Sequence, residues 1–163
     1  MRHWLLILFV AILAAGCVDK ERAPVMGTWT GGFYTDKGQA FKGYLTLYRT
    51  GDKFKMRLAS KDQAMDFEGT WTIGKHRIAL TTGEIKFENP TEEDQKALGL
   101  KIVTPDEVWA AYAKPVAFDL DASDRKLTGL TVALGSLSGR HEFGKGEVTK
   151  NTKQAQDRIR NGS

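Results

Sequence analysis

The sequence predicts an all-β domain, mainly an antiparallel meander of about nine strands closing into a barrel, with a short two-helix insertion before the last strands. Three observations carry this. Apolar residues alternate with polar ones from Gly27 to Glu88, the period of a sheet with one buried face. Turn-forming residues separate the alternating runs at short, even intervals, as hairpins require. A capping-box pattern with proline breaks the alternation before it resumes at Val116, which marks helix rather than strand. The chain has 163 residues, 41% of them hydrophobic, and one cysteine, so a single domain must hold together by packing without disulfides.

In the first strand Trp29, Gly31 and Phe33 share one face and Thr28, Thr30 and Tyr34 the other. Phe41, Gly43, Leu45 and Leu47 then oppose Lys42, Tyr44, Thr46 and Tyr48. Phe54, Met56 and Leu58 oppose Lys53, Lys55 and Arg57, and Met65, Phe67, Gly69, Trp71 and Ile73 oppose Asp66, Glu68, Thr70 and Thr72. Ile78 and Leu80 predict a further strand, Thr82-Gly83 a turn, and Ile85 and Phe87 the next strand. Closing such a meander removes its edge strands.

Asn89-Pro90 predicts an N-cap and first-position proline for a short helix stopped by Gly99. Thr104-Pro105-Asp106-Glu107 predicts a second helix that ends before Pro115. The insertion, residues 89–113, is expected to lie across one opening of the barrel. Strand pattern returns at Val116, Phe118 and Leu120, then through 127–134 and 139–143.

Ahead of the barrel, Met1-Arg2-His3 and an apolar run from Trp4 to Ala15 end in Gly16-Cys17. About twelve apolar residues rise only about 18 Å, too short for a roughly 30 Å hydrocarbon core, so residues 1–16 read as a signal peptide. Leu13-Ala14-Ala15-Gly16-Cys17 resembles the bacterial lipobox. That resemblance implies cleavage before Cys17, a diacylglyceryl group on its sulfur and an acyl chain such as palmitate on the new N-terminus. Val18 after it implies, by the same resemblance, sorting to the outer membrane, facing the periplasm. Residues 17–26 then form the lipidated cysteine and a polar tether reaching roughly 25 Å, 27–146 the barrel, and 147–163 a basic polar tail.

Gly27-Thr28-Trp29 opening the first strand resembles the Gly-x-Trp signature of the lipocalin and calycin superfamily. The resemblance implies a lipocalin-like barrel whose tryptophan closes one end, commonly beneath an arginine from a late strand, here Arg140, and whose interior takes small apolar molecules. Gly69-Thr70-Trp71 repeats the tripeptide, but two copies are too few for a propeller and fit two strands of one sheet.

No catalytic set emerges. Gly135-Ser136-Leu137-Ser138-Gly139 has leucine where a nucleophile elbow needs serine, and reads as a hairpin turn. His76 and His141 each lack a second histidine or cysteine at ligand spacing. Asp119, Asp121 and Ser123 begin like a calcium loop, but Asp124 and Leu130 replace the glycine and glutamate it needs. Met56 and Met65 fall on apolar strand positions, which packing explains better than copper. No enzyme, metal or cofactor beyond the covalent lipid is expected.

Two functions remain open. One is a membrane-anchored envelope lipoprotein that binds a small apolar or amphiphilic molecule inside the barrel, lined by Trp29, Phe33, Leu45, Met56, Phe67 and Trp71. The alternative is an accessory or inhibitory lipoprotein in an envelope assembly, meeting a protein partner through Tyr34, Tyr44 and Tyr48 or through the insertion. The net charge of +4 and an extracytoplasmic address point away from nucleic acid and toward a membrane or protein surface.

Overall fold

The computed structural model describes residues 22–100, 102–123 and 125–145. Eight strands form one closed barrel: β1 (Gly27–Thr35), β2 (Ala40–Leu47), β3 (Lys53–Ala59), β4 (Ala64–Gly74), β5 (Arg77–Glu88), β6 (Val116–Asp121), β7 (Lys126–Leu134) and β8 (Leu137–Gly144). Each pairs antiparallel with its sequence neighbours, and β8 returns to β1. A Cβ on Gly43 would stand 1.7 Å from Arg57 O, and one on Gly31 1.9 Å from Glu142 O. Those two glycines let neighbouring backbones approach where a side chain would push them apart.

The expected nine strands become eight because residues 77–88 run as one strand. Glu68 pairs with Glu84 and Gly69 with Thr82, leaving Gly83 without an opposite residue. Gly83 is therefore a β-bulge and not a turn: β4 continues alongside and supplies partners on both sides of it.

Among the described residues 25 apolar side chains are buried, most of them at alternating strand positions, with Trp29, Phe33, Leu45, Phe67, Trp71 and Phe118 among the deepest. The chain joins that core earlier than a tether ending at residue 26 implies. Val25 is fully buried, its N–H donates to Arg22 O at 3.0 Å, and its carbonyl accepts from Trp29 Nε1 at 2.8 Å.

Two helices separate β5 from β6. In α1 (Glu92–Leu98) the N-cap is Thr91, which accepts from the Asp94 N–H, and Gly99 ends the helix at φ 61°. Asn89 does not cap. Its side chain instead accepts from Gln63 Nε2 at 3.0 Å. In α2 (Pro105–Tyr112) Thr104 and Glu107 form the expected capping box. β6 pairs with β5 only over Arg77–Leu80 and with β7 only over Lys126–Gly129. α2 packs on β5 and β7, and so occupies the stretch of wall that short β6 leaves unpaired. The insertion thus completes the side of the barrel as well as reaching one opening. There the amide of buried Gln63 donates to Val103 O at 2.6 Å and accepts from the Val103 N–H at 3.1 Å.

Candidate functional site

Five inward positions make one row across adjacent strands: Trp29 faces Leu45, Leu45 faces Met56, Met56 faces Phe67, and Phe67 faces Ile85. Four of the six residues predicted to line a ligand site stand in that row. Phe33 lies farther along β1, with its ring 5.1 Å from that of His141, and Trp71 lies toward the other end of β4. All six are 0–2% exposed. Their side chains pack against one another as protein interiors do, and of the six only Trp29 lines one of the concavities described below. Cys17 and the tail at 147–163 lie outside the described residues.

A polar pair lies among the aromatic side chains of the interior. Tyr112, on the buried face of α2, sets its hydroxyl 2.9 Å from His141 Nε2 on β8. Phe33, Phe118 and Phe143 surround the imidazole at 5.1 to 5.9 Å between ring centroids, and Phe67 stacks obliquely on Tyr112 at 4.6 Å. His141 Nδ1 has no hydrogen-bond partner. Burial pushes the imidazole down to about 3 and the phenol well above its ordinary value, so both are neutral at physiological pH. Residue types alone leave this pair hidden, although Gly139, His141 and Phe143 alternate in phase and mark an inward-facing histidine.

Both tryptophans sit toward the end where the chain enters. Lys145 Nζ lies over the Trp29 ring at 5.4 Å and also donates to Pro24 O and Met26 O. The cation closing Trp29 is therefore Lys145. Arg140, the expected arginine, points outward and pairs with Glu142 at 2.8 Å. Arg22 covers the Trp71 ring at 5.3 Å and pairs with Asp52, while Trp71 Nε1 donates to Tyr48 O at 3.0 Å.

On the outer wall Arg57 bridges Asp66 and Glu88, the latter at 2.7 Å. A concavity of about 800 Å³ opens between Tyr48, Lys53, Phe54, Lys55, Glu68 and Thr70. A smaller one of about 270 Å³ lies against Trp29 and Lys145, and another of about 180 Å³ against Phe41, Gln63 and Val103. The outward tyrosines do not converge: Tyr34 is at one end of the barrel, Tyr48 follows β2 at the other, and Tyr44 is half-buried between them. More apolar surface is exposed on the insertion, where Trp109 is 41% and Leu98 69% accessible beside Glu92, Glu93, Asp94 and Asp106. Among the described residues no three His, Cys, Asp or Glu side chains gather as a metal site, and no helix is long and apolar enough to cross a membrane.

No protein-family model and no curated protein sequence matches the chain. Among solved structures it is similar to a redesigned β-barrel, at 14% identity and a TM-score of 0.44 over 77% of this chain and 94% of that one.

Proposed function

We propose that this chain is a non-enzymatic, lipid-anchored lipoprotein of the bacterial envelope, facing the periplasm from the outer membrane, whose lipocalin-like barrel acts by surface recognition of a protein partner. The observation that carries this reading is the burial of the six inward side chains: Trp29, Phe33, Leu45, Met56, Phe67 and Trp71, at 0–2% exposure, occupy the space in which a ligand would sit. Support for partner recognition comes from the insertion, which exposes Trp109 and Leu98 amid carboxylates, as aromatic anchors in a polar rim do. The lipocalin likeness rests on Trp29, which opens β1 and closes that end of the barrel beneath a cation. The anchor rests on the lipobox resemblance at residues 13–17.

A second reading, in which the barrel takes a small apolar or amphiphilic molecule, draws on the unpartnered Nδ1 of His141 and on a wall segment made by a helix instead of a strand. Displacing α2 would open the interior between β5 and β7. Native mass spectrometry of the protein released from its own membranes, paired with photocrosslinking from position 109, separates the two. Surface recognition predicts a crosslinked envelope protein and no bound lipid beyond the covalent anchor. A stoichiometric co-purifying amphiphile, with no crosslink, would replace it with the carrier.

A further inference from the structure

The two ends of the barrel carry opposite charge. An up-and-down meander sends alternate connections to alternate ends. One end gathers residues 22–26, the connections at 48–52, 75–76 and 122–125, and Lys145; by sequence these hold five Lys and Arg against two Asp, and Lys53, Arg77 and Lys126 open the adjoining strands. The other end gathers the connections at 36–39, 60–63, 89–115 and 135–136, with five Lys against seven Asp and Glu. Neutralisation at the first end is incomplete. Arg22 pairs with Asp52, Arg77 with Asp119 at 2.8 Å and Lys126 with Glu142 at 3.4 Å. Lys53, Lys75 and Arg125 are exposed and have no carboxylate at ion-pair distance among the described residues.

Chain connectivity adds direction to this asymmetry. Arg22, ahead of β1, and Lys145, after β8, both stand on the basic rim, so the chain on the side of Cys17 and the chain after the barrel join it at the same end. The sequence after Lys145 holds four more cations against two carboxylates. The rim also presents Tyr48, 41% exposed, beside the 800 Å³ concavity, a residue type that sits well at headgroup depth.

We propose that this basic rim is a docking surface for an anionic lipid membrane, with phosphate-bearing headgroups meeting Lys53, Lys75 and Arg125. The proposal rests on the anchor reading only for how the protein is brought there. Five residues from Cys17 to Arg22 span at most about 18 Å, so the rim stays within a few screening lengths of about 8 Å from the headgroups. The basic end is drawn to the surface and the acidic helical end is turned away, leaving Trp109 and Leu98 free for a partner. Each exposed cation near such a surface strengthens association about fivefold at moderate salt, and three of them outweigh the thermal freedom of a tethered barrel.

The test uses the full-length protein reconstituted on vesicles of neutral phosphatidylcholine, or of the same lipid with about 30 mol% phosphatidylglycerol. Lysine labelling by an amine-reactive reagent is read residue by residue by mass spectrometry. Docking predicts that Lys53 and Lys75 are labelled several-fold more slowly on the anionic vesicles, that high salt abolishes the difference, and that Lys96 and Lys114 are unaffected. The double variant Lys75→Glu, Arg125→Glu should restore most of the labelling at Lys53. Equal labelling of Lys53 on the two vesicle types, or protection confined to Lys96 and Lys114, would overturn the proposal. Protection in native envelopes but not on protein-free anionic vesicles would also overturn it, assigning the rim to a protein. Loss of the chain from neutral vesicles sinks the anchor alone, because a released chain still binds the phosphatidylglycerol vesicles if the rim is the docking surface.

Discussion

The hydroxyl of Tyr112 lies 2.9 Å from Nε2 of His141, joining the helix inserted after β5 to the last strand of the barrel. Val108 on the same helix is likewise buried. Removing either partner strands the other in an uncharged aromatic surround, at a cost of about 1 to 3 kcal/mol.

Acid should unfold the barrel through His141. Its folded value of about 3 lies below the ordinary value of about 6.5, so between these the unfolded chain binds more protons. The contribution is complete above about pH 6.5 and is lost progressively as pH falls toward 3, at up to about 1.4 kcal/mol per unit. Denaturation midpoints of wild type and His141→Phe across this range should diverge, with the variant less sensitive to acid. Parallel curves for the two would show that His141 is not buried neutral.

Trp71→Ala should cost about 3 to 5 kcal/mol. The ring is 1% exposed, donates to Tyr48 O and lies under Arg22. Urea titration gives the number, and a loss under about 1 kcal/mol would mean a ring outside the core.

Gly43→Ala should destabilise by about 3 kcal/mol, because the new methyl meets a backbone carbonyl that the β3 pairing holds in place. Gly74→Ala, where the methyl meets nothing within 4 Å, should change stability by less than about 0.5 kcal/mol. The comparison needs only two melts, and similar losses at both sites would count against the register of β2 on β3.

Cys17→Ser should move the protein from the membrane fraction to the soluble one. The wild-type N-terminal peptide should begin at Cys17 and carry the mass of a diacylglyceryl group and an acyl chain. An uncut, unmodified N-terminus would remove the lipoprotein reading.

Much of the barrel was legible in the chain because strand alternation is local. Each of Trp29, Phe33, Leu45, Met56, Phe67 and Trp71 announces an inward face by its neighbours at the next two positions, and each is buried. The capping box at Thr104 and Glu107 is equally local, and it forms as written. Thr82-Gly83 was not readable in this way. The same dipeptide serves a turn or a bulge, and only the β4 residues opposite decide for a bulge.

By itself, then, the sequence determined an antiparallel all-β domain with two helices before its last three strands, since spacing, turn residues and caps act within a few positions. Tertiary structure alone decided that the strands number eight, that a helix fills the wall beside β6, and that Lys145 rather than Arg140 covers Trp29. It also paired Tyr112 with His141 across 29 residues and sorted cations and carboxylates to opposite ends. These depend on barrel closure, which brings together groups far apart in the chain whose meeting no local period encodes.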